Sequence, residues 1–175
     1  MSIITSLEPM NRIRYKGAFD FDGLYRVMRS WYEERKYTFF ETRYKEKTKP
    51  LGNEIEITWK GERPLNDYVR NNVYAFIHLW DVNYVETLRN GKKRKLTRAR
   101  MLIDIRAEVE LDYLSQWEDS KAKRLWRTFY NYFLMRQDIS TVYQDKLWYN
   151  AQKLQQRIKQ FLDMESHSDI FDDMW

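Results

Sequence analysis

The residues whose types and spacing bear on chemistry are two histidines, a D-x-D and a crowd of basic side chains around one turn. His78 sits inside an apolar run and His167 near the C-terminus. A histidine in an apolar strand is more commonly a core or interface residue making one hydrogen bond than a general base. Asp20 and Asp22 form a pair that can hold a divalent ion, but no further carboxylate follows at ligand spacing, so capping a helix is the expected use. The glycines are scattered at Gly17, Gly23, Gly52, Gly61 and Gly91 and make no phosphate loop, and no serine lies in a nucleophile elbow. The chain has no cysteine, which excludes disulfides, zinc-thiolate sites and a cysteine nucleophile. The expectation is a protein without catalytic residues, metal or cofactor.

Binding is better provided for. Arg89, Lys92, Lys93, Arg94 and Lys95 crowd around Asn90-Gly91, followed by Arg98 and Arg100. Asn-Gly is the strongest short hairpin signal, so these residues would line a two-stranded ribbon suited to a phosphate backbone or an acidic protein surface. The alternative is a solvated tip whose charges protect an edge from aggregation. Arg43, Lys45, Lys47 and Lys49 extend the patch if their strand lies nearby. Tyr74, Phe76, His78 and Trp80 form an aromatic row that would line a ligand site or an interface. The last stretch, residues 165–175, carries Glu165, Asp169, Asp172 and Asp173 but no Lys or Arg. Its Ile170, Phe171, Asp172, Asp173, Met174 and Trp175 read as a docking peptide that could also fold back on the basic patch, against the plainer reading of a frayed terminus.

These candidates need elements to position them. From Arg98 to Leu111 apolar and polar residues alternate, broken only by Leu102, which marks a long strand with one dry face. Residues 1–11 read as a loose arm, Arg12–Ala18 as a short strand, and the stretch after Asp20 as a helix burying Leu24, Val27, Met28 and Trp31. Tyr37–Lys47 and Glu54–Lys60 are further strands, and Leu65–Arg70 a connecting turn. Val73–Trp80 is apolar on both faces, with Val73, Ala75, Ile77 and Leu79 on one and the aromatic row on the other.

Taking Asn90-Gly91 as the loop puts Phe76 opposite Ile105 and His78 opposite Ile103, so the aromatic row is expected on the dry face. One β-bulge near Asp81–Asn83 would reverse that. Either way one apolar row is left outside and needs a cover. After Asp112 the period turns helical. Trp117, Leu125, Trp126, Phe129 and Phe133 form one stripe; Tyr143, Leu147, Ala151, Leu154, Ile158 and Phe161/Leu162 form another, opened by a Thr141/Gln144 capping box. At about two dozen residues the second helix would be roughly 35 Å long.

The fold class that follows is α+β: an antiparallel sheet of about five to six strands with an N-terminal helix and two long C-terminal helices. A single domain spans 12–164, mainly sheet over 12–112 and helical over 113–164, before the acidic-aromatic tail. This element order resembles the helix-grip fold of lipid-transfer and polyketide-cyclase-like proteins. The resemblance implies a cavity for an apolar ligand lined by Tyr74, Phe76 and Trp80.

Composition bounds the role. Apolar content of 43% supports a real core, and 17% aromatic (7 Trp, 13 Tyr, 9 Phe) exceeds what a domain interior commonly needs. The net charge of +5 permits a polyanionic partner without requiring one. No apolar run approaches the roughly 18 residues that span a bilayer, and the N-terminus lacks the pattern of a signal peptide. An intracellular protein is expected, free in the cytoplasm or inside a particle assembled there. Its leading reading is a non-enzymatic structural or adaptor subunit of a larger assembly, binding a protein partner or a second copy through the aromatic surface, the long C-terminal helix and the acidic-aromatic tail. A nucleic-acid-associated protein and a small-ligand carrier are the alternatives.

Overall fold

A computed structural model describes residues 3–7, 11–89, 92–114, 125, 129 and 143–163. Its elements are β1 (Ile3–Ser6), β2 (Asn11–Phe19), α1 (Phe21–Glu34), β3 (Thr38–Lys47), β4 (Asn53–Pro64), β5 (Val69–Arg89), β6 (Lys92–Leu111) and α2 (Asp145–Phe161). The strands form one antiparallel sheet in the order β1-β6-β5-β4-β3, with β2 also paired to β6. The alternating stretch Arg98–Leu111 thus belongs to the central strand. β6 pairs with β5 from Arg89↔Lys92 down to Val69↔Leu111. Its other edge takes β2, from Phe19↔Thr97 to Asn11↔Ile105, and then β1, from Ser6↔Glu108 to Ile3↔Leu111. Ile3–Ser6, expected within a loose arm, is therefore a strand; four residues are too few to show a period.

The dry face carries Met101, Ile103, Ile105 and Val109 of β6 beside Ile77, Leu79, Ile57, Trp59 and Ile13 of its neighbours, all buried. Among the described residues, α1 and α2 cover it. The Asp20 carboxylate accepts from the Gly23 amide at 2.9 Å, which starts α1 as expected. Leu24, Met28, Trp31 and Tyr32 then fall on the buried stripe. Leu147, Ala151, Leu154 and Ile158 do the same for α2. Arg157 clamps Glu34 with two hydrogen bonds of 2.8 and 2.9 Å, tying the helices together. Much of the aromatic surplus goes inside: Tyr32, Phe39 and Tyr25 all meet Trp59 edge-on, and Trp31 stacks on Tyr37.

Two expectations change. The register steps by one residue between Trp80 and Asn83, so Ile77 faces Ile103 and Ala75 faces Ile105. The aliphatic row of β5 is inside and the aromatic row outside, opposite to the expected arrangement. In addition, α2 is shorter, at 17 residues, and Gln144 at its N-terminus is itself helical and makes no side-chain cap. Thr141, the stripe of Trp117, Trp126 and Phe133 with the helix it would form, and the tail from Glu165 to Trp175 lie outside the described residues. Among those described, no helix is long and apolar enough to cross a membrane.

One packing contact gives a sharp test. Gly61 faces Phe39 on β3 and Val73 on β5, and a Cβ at Gly61 would collide with Cδ1 and Cε1 of the fully buried Tyr32. Alanine is otherwise the better strand residue, so the collision decides the sign. Gly61→Ala is expected to lower the denaturation midpoint by the equivalent of about 1–3 kcal/mol. An unchanged or raised midpoint in urea would show that the Tyr32 ring does not rest there.

Candidate functional site

Once β5 turns its aliphatic residues inward, Tyr74, Phe76, His78 and Trp80 project from the opposite face of the sheet. Tyr74 and Phe76 lie nearly parallel, centroids 6.2 Å apart at 13°. His78 stacks on Trp80 at 3.8 Å and 26°. Phe76 is 36% exposed and its three neighbours are partly so. Cations border the row: the Arg106 guanidinium stands 5.7 Å from the Phe76 centroid and the Lys60 ammonium 5.8 Å from Tyr74. The three rings that would line the implied ligand cavity thus point away from the helices.

A chain of ion pairs runs alongside. The Glu54 Oε1 and His78 Nε2 atoms are 2.7 Å apart, and Lys49 Nζ lies 2.5 Å from Glu54 Oε2. Glu56 is held by Arg43 at 2.9 Å and Lys47 at 3.3 Å. Glu54, Glu56 and His78 offer ligand atoms within 4.8 Å of one another, a spacing a metal could use. All four carboxylate oxygens, however, are already engaged by Lys49, His78, Arg43 and Lys47, so the cluster reads as a salt-bridge lattice. Asp20 and Asp22, the other acidic pair, belong to the start of α1. At the far end of the strands the same face is closed over polar groups. There Glu108 and Glu110 are buried; Ser6 donates to Glu108, and Arg70 and Asn72 donate to Glu110.

The opposite end, at the base of the β5–β6 ribbon, is open. Asp81 adopts a left-handed backbone (φ 55°) where the register steps, and its carboxylate accepts from Arg100 Nε at 2.7 Å. Arg100 lies across from Trp80 on β5 and from Lys16 on β2. Two cavities meet here. One of about 210 Å³ is lined by Arg14, Tyr15, Lys16, Trp80, Arg100 and Leu102. The other, about 390 Å³, is lined by Lys49, Leu51, Glu54, Trp80, Asp81 and Arg100.

Of the expected basic residues, Arg98 and Arg100 therefore sit at the ribbon base, while Lys95 places its ammonium 3.9 Å from the Tyr84 ring centroid. Arg89, Lys92, Lys93 and Arg94 take their places in the backbone ladder; their side chains, with Asn90 and Gly91, lie outside the described part. Lys45 lies on the edge strand opposite Glu56, and Arg43 and Lys47 pair with Glu56, so that strand's charge is largely spent at the far side of the sheet. Lys16 and Arg14 were not singled out by sequence reasoning. Their signal was the basic row Arg12, Arg14, Lys16 in β2, whose partner strand only the register supplies. The docking residues Ile170, Phe171, Asp172, Asp173, Met174 and Trp175 lie outside the described residues.

No family model matches the chain, and no curated protein matches its sequence.

The ion-pair lattice makes a pH prediction. Lys49 and then His78 hold the Glu54 carboxyl down to about 2. Lys47 lowers Glu56 in the same way, and Arg157 lowers Glu34. A carboxyl depressed in the folded state contributes stability that is complete above its unfolded pKa of about 4.3 and disappears as pH falls toward the folded value. Glu54→Gln is expected to flatten the loss of stability between about pH 5 and pH 2, read as urea midpoints across that range. Parallel curves for the variant and the parent would contradict the assignment.

Proposed function

We propose that this protein is a non-enzymatic binding subunit that docks a macromolecular partner on the outer face of its sheet. The observation that supports the reading is the row Tyr74–Trp80. Four ring-bearing side chains occupy the middle of a face where the described residues set no helix over them, and Phe76 is exposed to solvent. Aromatic residues beside arginine are the composition that interfaces favour. His78 has Nε2 engaged by Glu54 and its ring stacked on Trp80, so both contacts hold the imidazole in place within the row. A cysteine-free chain suits a reducing, intracellular setting. The acidic-aromatic tail would provide a second contact, to a protein partner or another copy of the chain.

Photo-cross-linking in the native cell tests this. A photoreactive phenylalanine analogue replacing Phe76 is expected to give covalent adducts with a partner. The same analogue replacing Tyr149, exposed on α2, is expected to give none. Absence of adducts from position 76, or equal labelling from both positions, would overturn docking on this face.

A further inference from the structure

The outer face is not uniform, and its open end has an electrostatic conflict. Lys16 and Arg100 are direct cross-strand neighbours, an arrangement of like charges that destabilises a sheet unless an anion lies between them. Asp81 pairs with Arg100 and leaves Lys16 beside it without a carboxylate among the described residues. Among the described residues Lys16 has no ion pair, and neither do Arg98, one pleat further along the same face, nor Arg106 beside Phe76. The conflict surrounds Trp80, which lines both cavities at the ribbon base. An unmatched basic patch around an indole is what a phosphate chain carrying flat bases would complement.

We propose that the Trp80 end of the outer face binds single-stranded nucleic acid. A base stacks against Trp80, and the flanking phosphates lie on Lys16 and on Arg98 and Arg100. The proposal rests on the docking role above and names its partner. A duplex keeps its bases stacked inside and offers Trp80 nothing, while an acidic peptide would use the charges but not the ring. Dependence on the indole therefore separates the three.

The test is fluorescence anisotropy of a labelled oligothymidylate of about 15 nucleotides, titrated with the full chain over a range of salt, beside a duplex of equal length and polyglutamate. The single strand is expected to bind best, with affinity falling as salt rises. Trp80→Ala is expected to weaken it about tenfold while Trp80→Phe retains most of it. Lys16→Gln is expected to reduce the slope of log affinity against log salt by about 0.7. Thermal melts of each variant verify folding, and the Lys16→Gln arm stands if Trp80→Ala fails to fold. No binding of the single strand at low salt overturns the proposal, as does equal binding of all three polyanions with no effect of Trp80→Ala. If position 76 cross-links to a protein while oligothymidylate does not bind, this inference fails and the docking role survives. If neither happens, both fail.

Discussion

The arrangement of this sheet depends on one extra residue in β5. Between Trp80 and Asn83 the strand spends two residues, Asp81 and Val82, against the single position Ala99 of β6. Above that step the ladder follows the register of the hairpin; below it every side chain of β5 is turned to the other face. Asp81 absorbs the change with a positive φ, a conformation that aspartate tolerates better than most residues. Its carboxylate then ties down Arg100 across the step.

Two different surfaces follow. Inside, Val73, Ala75, Ile77 and Leu79 are slim enough to let α1 and α2 lie close on the sheet, with Trp31, Trp59 and Tyr32 filling the remaining space. Outside, the rings of β5 lie among charged residues of β4, β6 and β2. The pairs on that face, such as Arg12 with Asp104 and Arg43 with Glu56, each join an exposed guanidinium to a partly covered carboxylate, and solvent screening keeps their contribution to stability small. Their effect lies in spacing: they fix side chains around the aromatic row and, among the described residues, leave Lys16 without an ion pair at the open end. The aromatic excess in the composition is thus divided, one part forming the interior beneath α1 and another lying on the outer face, where no described helix covers it.

How much of this could be read from the chain varies with the kind of signal. In β6, β4 and both described helices nearly every residue declares its side by being apolar or polar, Leu102 being the exception in β6, so these strands, the stripes of α1 and α2 and the Asp20 cap were legible. β5 is apolar on both sides and its period says nothing; its facing hung on the hairpin register, and one bulge was enough to reverse it. The bulge has no strong signature, since an aspartate before a valine is ordinary in a strand end. β1 is too short for a pattern. At the candidate site, Trp80, Arg98 and Arg100 were visible as types, but the pairing of Lys16 with Arg100 is a relation between strands about 80 residues apart that pattern reading cannot supply.

The stepped register can be measured directly, because the chain has no cysteine of its own. Phe76→Cys and Ile77→Cys place a single thiol on either side of β5, and each can be labelled with a thiol reagent in the native state and in urea. The step predicts rapid native labelling at position 76 and labelling at position 77 only on unfolding. Protection at 76 with rapid labelling at 77 would mean that the aromatic row lies inside, and the outer face described here would not exist.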